Sequence, residues 1–540
     1  MRPFLTLHHP SAAARFYDQG LWTSETFYDL VARHARMRPD AIAVQDGRRT
    51  LSWLELVRWV DGAAADLRAY GLEGGDRVSI WMSNGIEAIV TFLACSREGF
   101  ACNPSLHWTY TCAEISLLLK RLSTRALITE PGWGADRAEV DLERILADVP
   151  SLKVVHTRDS FPEPGPNKTA PDSDPDKVLY LAFTSGTTGA PKCVMHSDNT
   201  LLANARDLVR DWGHGPDTVL LTLSPLSHHI AWVAVAQWAV SGCRLVTDDA
   251  PAGMTRLDWI IATGATYVMG VPTHAMDILA EQKARGFERI GSVKTFYMAG
   301  SPIPPSVAQA FVAQSIMPQN VYGMTENSSH QYTHPADETQ VVIDTCGSGG
   351  RAYEVALFDP TDADRPVGIG EVGQIAGRGA ALMLGYFGNQ DATEKSFNNT
   401  GWFLSGDLGA LDAAGNLKIE GRLKDLIIRG GHNIYPAHVE AIALRHGGIH
   451  KAACFPIADE RLGERACIAV IGDIGPDDLL AHLAAEGLSK FDMPEYFVSV
   501  QSFPLTPSGK ILKRELIEMV RRGALSPLAI RYRAKKEIRT

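Results

Sequence analysis

No uninterrupted apolar run in this 540-residue chain approaches the ~18 residues that a membrane-crossing helix needs. The first twenty residues, MRPFLTLHHPSAAARFYDQG, hold no apolar core of signal-peptide length, so a cytoplasmic location is expected. Basic charge is not in excess. The formal net charge of −10 argues against nucleic acid as a non-specific partner and confines any anion site to a local cluster. Cysteine is scarce and scattered (Cys95, Cys102, Cys112, Cys193, Cys243, Cys346, Cys454, Cys467), with no C-x-x-C and no His/Cys grouping at zinc spacing. That excludes a disulfide framework and leaves reduced packing thiols. Internal repeats and low-complexity tracts are also missing, and no G-x-x-x-x-G-K-[ST] phosphate loop occurs.

What remains is an ordinary globular composition, 45% hydrophobic and 21% charged, on a chain too long for one core. Apolar periodicity predicts helices over Ser24–Arg38 and from Ser52 to about Tyr70, the second opened by a Ser52/Glu55 capping box. A strand over Asp76–Met82, a helix over Glu87–Cys95 and a strand over Ala126–Thr129 follow. After a Pro- and Asp-rich linker from Ser160 to Asp176, helices over Leu201–Trp212 and around Trp232–Val240 alternate with strands. Those strands are Val219–Leu223, Arg244–Thr247, Tyr267–Val271 and Thr295–Ala299. Alternation of this kind predicts α/β layering with largely parallel sheets. From Gly401 the texture changes to short strands and Gly-rich turns. A domain boundary near Gly421–Asp425 divides a large N-terminal domain (1–423), built of layered sheets and helices, from a small mobile α+β C-terminal domain (424–540).

The stretch Tyr180–Lys192, YLAFTSGTTGAPK, organises the rest. An apolar strand breaks into Thr184, Ser185, Gly186, Thr187, Thr188 and Gly189 and ends at Pro191 and Lys192. Two glycines permit a tight turn with inward N–H groups, hydroxyls add donors, and the lysine adds positive charge: a cradle for a polyphosphate. Alone, the same stretch reads more readily as an ordinary turn with a solvated lysine. Its companions favour the cradle. VYGMTEN (Val321–Asn327) sets an aromatic ring, a hydroxyl and a carboxylate side by side, suited to a purine, a phosphate and Mg²⁺. GWFLSGDLG holds Asp407 at a turn where it could accept from ribose hydroxyls. GRLKDLIIRGGHNIYP adds Arg422, Lys424, Gly430 and Gly431, and PLTPSGKILKREL ends on Lys510.

Taken together, from about Thr23 to Leu516, these motifs resemble the adenylate-forming superfamily of acyl-CoA synthetases, aryl-CoA ligases, luciferases and peptide-synthetase adenylation domains. One departure is Cys193, where the family usually has glycine; a packing adjustment is expected there. The resemblance implies that Thr184–Lys192 wraps the β- and γ-phosphates, that Thr325 contacts the α-phosphate and that Glu326 binds Mg²⁺. It implies that Gly300, Ser301, Pro302, Tyr322 and Gly323 hold adenine and that Asp407 and Arg422 take the ribose. Lys510 would bridge carboxylate and phosphate during adenylation, and Lys424 would be the hinge. Gly431 would leave the backbone open for the pantetheine thiol. ATP, Mg²⁺ and coenzyme A are therefore the expected cofactors.

By the same resemblance, SPLSHHIAW (Ser224–Trp232) lines the acid pocket. His228 is expected beside the acyl-adenylate, and a packed core histidine is the equal alternative. His229, Trp232, Met269, Gly270, Val271, Ala299, Met324 and His330 complete the expected wall. The wall carries no carboxylate for an α-ammonium and no fixed cation for a second carboxylate. A hydrophobic monocarboxylic acid follows; in overall texture, GGHNIYP included, the chain resembles medium-chain, aryl and alicyclic acid ligases, which makes cyclohexanecarboxylate the specific expectation. The thirty residues after Lys510 are too few for a carrier domain, so the thiol is expected from outside, as coenzyme A. The same motifs also fit a ligase that loads a separate carrier protein, a luciferase-like oxygenase or a non-catalytic nucleotide-binding homologue. A protein acetyltransferase acting on Lys510 and a homodimeric assembly stand as further partner expectations.

Overall fold

Strands and helices alternate along the chain and collect into four sheets in the computed structural model, which describes residues 10–136, 142–184, 191–505 and 511–532. The first sheet has eight strands. Its six central strands run parallel, in the order Met317–Met324, Thr295–Ala299, Tyr267–Gly270, Val219–Thr222, Arg244–Thr247 and Ile42–Gln45, with one antiparallel strand at each edge. The second sheet has seven strands, five of them parallel and ending at Val178–Thr184. The chain then folds back as the antiparallel strand Lys192–Ser197, which places Thr184 opposite Lys192. The sequence gives no periodic sign of that strand, because it is buried on both faces and reads KCVMHS.

The helices Asp198–Trp212 and His229–Ser241 share one continuous core with residues of both sheets. The second of these is apolar on every side because it is covered on every side. Trp238 stacks on Trp53 at 5.0 Å and donates its indole N–H to the Ala43 carbonyl. Full burial of side chains this large contributes on the order of 2–3 kcal/mol each.

A third, five-stranded antiparallel sheet carries Phe403–Leu411 beside Leu417–Arg422. A one-turn helix, Leu423–Asp425, follows, and the next strand, Ile427–Arg429, already belongs to the fourth sheet. That sheet and the helices Pro436–Ala443, Pro476–Ala485 and Lys513–Arg521 form the C-terminal α+β unit with its own core. The fold is thus the layered α/β arrangement with a smaller α+β part.

Boundaries differ from the periodic reading where caps decide them. The helix expected from Ser24 begins at Phe27, because the Thr26 side chain accepts from the Asp29 N–H while the Asp29 carboxylate accepts from the Thr26 N–H. The helix expected from Leu201 starts a turn earlier, at Asp198, capped by Ser197. The linker over residues 160–176 is strapped down rather than loose: Trp59 Nε1 donates to Pro162 O at 2.7 Å, and Arg97 Nη2 donates to Thr169 O at 2.8 Å. No described helix is long and apolar enough to cross a membrane.

Candidate active site

In open parallel sheets, ligands gather outside the carboxyl ends of the strands. Four strand ends of the first sheet converge there: Thr222 leading to Ser224–His228, Gly270 to Val271, Ala299 to Gly300, and Met324 to Glu326. Gly300, Ser301 and Pro302 form an exposed turn after their strand. Gly323 occupies a place no other residue fits, since a Cβ there would lie 1.7 Å from the Ser328 carbonyl oxygen.

Glu326 is the electrostatic centre. Its backbone carbonyl accepts from Met383 N at 2.8 Å, and its Oε1 accepts from the Tyr386 hydroxyl at 2.9 Å. The ring of the same tyrosine lies 4.5 Å from Lys192 Nζ, a cation–π contact. Burial pushes the Glu326 carboxyl above its ordinary pKa, with the Tyr386 hydrogen bond and the Lys192 charge opposing that rise. Thr325 is fixed through its backbone: His196 Nε2 lies 2.6 Å from the Thr325 carbonyl oxygen.

Tyr322, Asp407 and Arg422 meet across two sheets. The Tyr322 hydroxyl donates to Asp407 Oδ2 at 2.8 Å, and Arg422 Nε lies 3.6 Å from Asp407 Oδ1. Asp407 and Arg422 face each other in register on neighbouring strands. The turn of three residues holding Lys424 follows at once, and Lys424 is an exposed residue whose pKa partial desolvation lowers. Gly431, at φ +87° with open space where a Cβ would stand, sits at a turn between the strands Ile427–Arg429 and His432–Ile434. Ser185, Gly186, Thr187, Thr188, Gly189 and Lys510 lie outside the described residues.

The histidines divide into three environments. His228 stacks on His107 at 4.4 Å, and His107 Nδ1 lies 3.0 Å from Ser227 Oγ. His229 spans Tyr180 Oη at 3.2 Å and Ser328 Oγ at 3.1 Å; burial first, and the neighbouring His196 second, push its pKa down to about 3. His330 is buried between the rings of Tyr353 and Tyr322, at 4.2 and 5.5 Å, and burial takes its pKa to about 3. All three are built as neutral rings or packed against one.

The expected acid wall separates onto two faces. Met269 and Ala299 lie on the sheet face covered by the helix His229–Ser241, in one core with Tyr297 and Val321. Gly270 points the other way, where a Cβ would meet His274 Nδ1 at 2.9 Å. Val271 and Met324 are half-buried at the sheet edge. Trp232 turns from the first sheet toward Phe92, 4.4 Å away, and donates its indole N–H to Leu226 O.

Comparison with known proteins shows the family. Residues 31–387 match the family model described as AMP-binding enzyme, and residues 438–510 match that of the AMP-binding enzyme C-terminal domain. The chain belongs to the AMP-binding enzyme family. It is 29% identical to a medium-chain fatty-acid–CoA ligase of Escherichia coli (strain K12), over 95% of this chain and 93% of that protein. It is 31% identical to a feruloyl-CoA synthase of Amycolatopsis sp, over 90% of this chain and 97% of that one. Among solved structures, ATP-bound MatB from Rhodopseudomonas palustris superposes with a TM-score of 0.81 at 26% identity, covering 92% of this chain and 99% of that one.

Several residues of this AMP-binding enzyme escape sequence reasoning. Tyr386 is one: it arrives from sixty positions beyond Glu326 on the two-residue strand Gly385–Tyr386, which pairs with the strand that Lys192 opens. Its only sequence signal is an aromatic ring in the glycine-flanked run GYFG. His196 and His107 are others, each an isolated histidine without a motif. Cys193 is fully buried in the core beside Phe183 and Met195, with its thiol pushed up to about 12 by burial. It therefore serves packing. No group of three metal-ligating side chains occurs among the described residues. The half-buried Glu326 carboxylate suits Mg²⁺, which takes one or two carboxylates and completes its shell with substrate phosphates and water.

Proposed function

We propose that this AMP-binding enzyme is an ATP-dependent carboxylic acid–CoA ligase. The carboxylate oxygen of the acid attacks the α-phosphorus of ATP, pyrophosphate leaves, and an acyl-adenylate forms. The CoA sulfur then attacks the acyl carbon, AMP leaves with the bridging oxygen, and the thiol proton is lost to solvent. The observation that carries this reading is the convergence of Lys192, Tyr386 and Glu326 at the carboxyl edge of the parallel strands, beside the Tyr322–Asp407–Arg422 group.

In this reading, Glu326 is the protein ligand of Mg²⁺, which when bound offsets charge on the triphosphate. Thr184 and Lys192, with the loop between them, hold the β- and γ-phosphates, and Thr325, oriented through His196, meets the α-phosphate. Gly300–Pro302, Tyr322 and Gly323 hold adenine, and Asp407 and Arg422 take the ribose hydroxyls. Both half-reactions move negative charge around one phosphorus, so fixed cations and donors are the equipment required, with no nucleophilic side chain. Lys510, on a C-terminal domain beginning at residue 424, supplies the cation for adenylation. Rotation about Lys424 then brings Gly431 to the thiol path. His228 lies beside the acyl group.

The acid is a hydrophobic-bodied monocarboxylate of cyclic, aryl or medium-chain type, with cyclohexanecarboxylate as the test compound. Two of the relatives, named for medium-chain fatty acids and for feruloyl-CoA, support that range. A cytoplasmic location, a homodimeric assembly and control by acetylation of Lys510 complete the reading. Acetylation would remove the charge that adenylation needs, and mass spectrometry of protein isolated from cells should find acetyl on Lys510. AMP release across a panel of acids, each with and without CoA, tests the function. CoA-stimulated AMP formation for at least one such acid is expected; AMP formation indifferent to CoA would move the reading to carrier loading.

A further inference from the structure

We propose that the far end of the acid pocket recognises a neutral hydrogen-bonding substituent, a hydroxyl, oxo or carboxamide group, through Gln237 and Gln319. The proposal rests on the reading of this sheet edge as an acyl-adenylate site and names the class of acid it takes.

Both side chains are fully buried, at 0% exposure, and each has an amide atom with no hydrogen-bond partner: Gln237 Oε1 and Gln319 Nε2. Buried amides are almost always satisfied, and leaving one without a partner is unfavourable. The remaining atoms of the two amides are held. Tyr267 Oη donates to Gln319 Oε1 at 2.6 Å, and Gln237 Nε2 lies 3.4 Å from both Met269 Sδ and the Val233 carbonyl. Turning the Gln319 amide over exchanges its oxygen and nitrogen and still leaves one of them unpaired.

Gln237 reaches the sheet at Met269. Met269, Tyr297 and Gln319 stand side by side across three parallel strands, on the face covered by the helix that carries Gln237. In the next layer toward the carboxyl edge, Ala299 pairs with Val321. Two strand residues separate the layers, so the polar row lies about 7 Å below the edge where the adenylate would form. That depth matches the far side of a ring or short chain whose carboxyl sits at the edge. Tyr297 Oη and Ser329 Oγ, 2.5 Å apart, add a hydroxyl pair to the row. Every member is neutral, so the row suits an uncharged polar group and offers no counter-ion for a second carboxylate.

The test measures binding of non-hydrolysable acyl-sulfamoyl-adenosine analogues by calorimetry, which needs no turnover. The analogues come in pairs: phenylpropanoate against its para-hydroxyl derivative, and cyclohexanecarboxylate against the derivative hydroxylated opposite the carboxyl. The hydroxylated member should bind at least about tenfold more tightly, since unpaired site groups penalise the analogue that lacks the hydroxyl. In Gln237→Met and Gln319→Met that ratio should collapse toward unity. Equal affinity within each wild-type pair, or preference for the apolar member, overturns the inference while leaving the ligase reading to its own AMP assay. Failure of every analogue to bind removes the adenylate reading and the inference together.

Discussion

The Tyr386 hydroxyl donates to Glu326 Oε1 at 2.9 Å, and the ring behind that hydroxyl lies under Lys192. One side chain thereby spaces the Lys192 cation from the carboxylate proposed for Mg²⁺. Tyr386→Phe keeps the ring and removes the donor. A hydrogen bond to a charged group is worth about 1.5–3 kcal/mol, so adenylation should fall about tenfold or more at low Mg²⁺ and recover in part as Mg²⁺ is raised. Acid-dependent pyrophosphate exchange across a magnesium series measures this, and an unchanged magnesium dependence would oppose it.

Asp407 serves Tyr322 and Arg422 at once, so its loss has two consequences. Asp407→Ala leaves the half-buried Tyr322 hydroxyl without its acceptor, which costs about 1–3 kcal/mol of stability, and removes the proposed ribose partner of ATP. The melting temperature should drop, and KM for ATP should rise. Asp407→Asn keeps an acceptor for Tyr322 and should restore most of the stability without restoring ATP affinity. Thermal unfolding and steady-state kinetics on the two variants separate the effects.

Lys510→Ala should lower adenylation by 100-fold or more, the loss typical of one preorganised donor at about 3–4 kcal/mol. Thioester formation from a supplied acyl-adenylate should stay close to wild type. Equal loss in both half-reactions would contradict the assignment.

The neutral histidines set the acid limb of stability. His107, His229 and His330 each have a pKa of about 3 in the folded chain against an ordinary 6.5, mainly through burial. A lowered folded pKa means that the unfolded chain binds protons first. Stability is therefore full above pH 6.5 and declines as pH falls from 6.5 toward 3. His330→Phe keeps an aromatic ring between Tyr322 and Tyr353 and removes one such group. Its melting temperature should fall less steeply between pH 6.5 and pH 4.5 than that of the wild type.

How far these features can be read from the chain depends on whether they are local. The Ser52/Glu55 cap and the strands Ala126–Thr129, Arg244–Thr247 and Thr295–Ala299 are written in consecutive residues, and the structure holds them where the pattern puts them. Glu326, Asp407 and Arg422 announce themselves through motifs. Tyr386, by contrast, joins Glu326 only because a two-residue strand pairs with the strand Lys192–Ser197, and no periodicity marks so short an element. Gln237 sits in an otherwise apolar helix and Gln319 in a buried strand. Each looks like a tolerated core polar residue until the sheet register sets Gln319 in one row with Met269, which Gln237 touches. Under the inference drawn above, the apolar acid expected from Met269, Val271 and Ala299 would gain a polar end from residues at least twenty positions away.

The central claim, acyl transfer through an adenylate, is tested most directly by following the acid's own oxygen. The enzyme is given ATP, CoA and a turned-over acid whose carboxyl oxygens carry heavy isotope, and the nucleotide product is weighed by mass spectrometry. Attack of the carboxylate on the α-phosphorus predicts AMP bearing one heavy oxygen. Unlabelled AMP, or heavy oxygen in inorganic phosphate with ADP as the nucleotide product, would contradict the account.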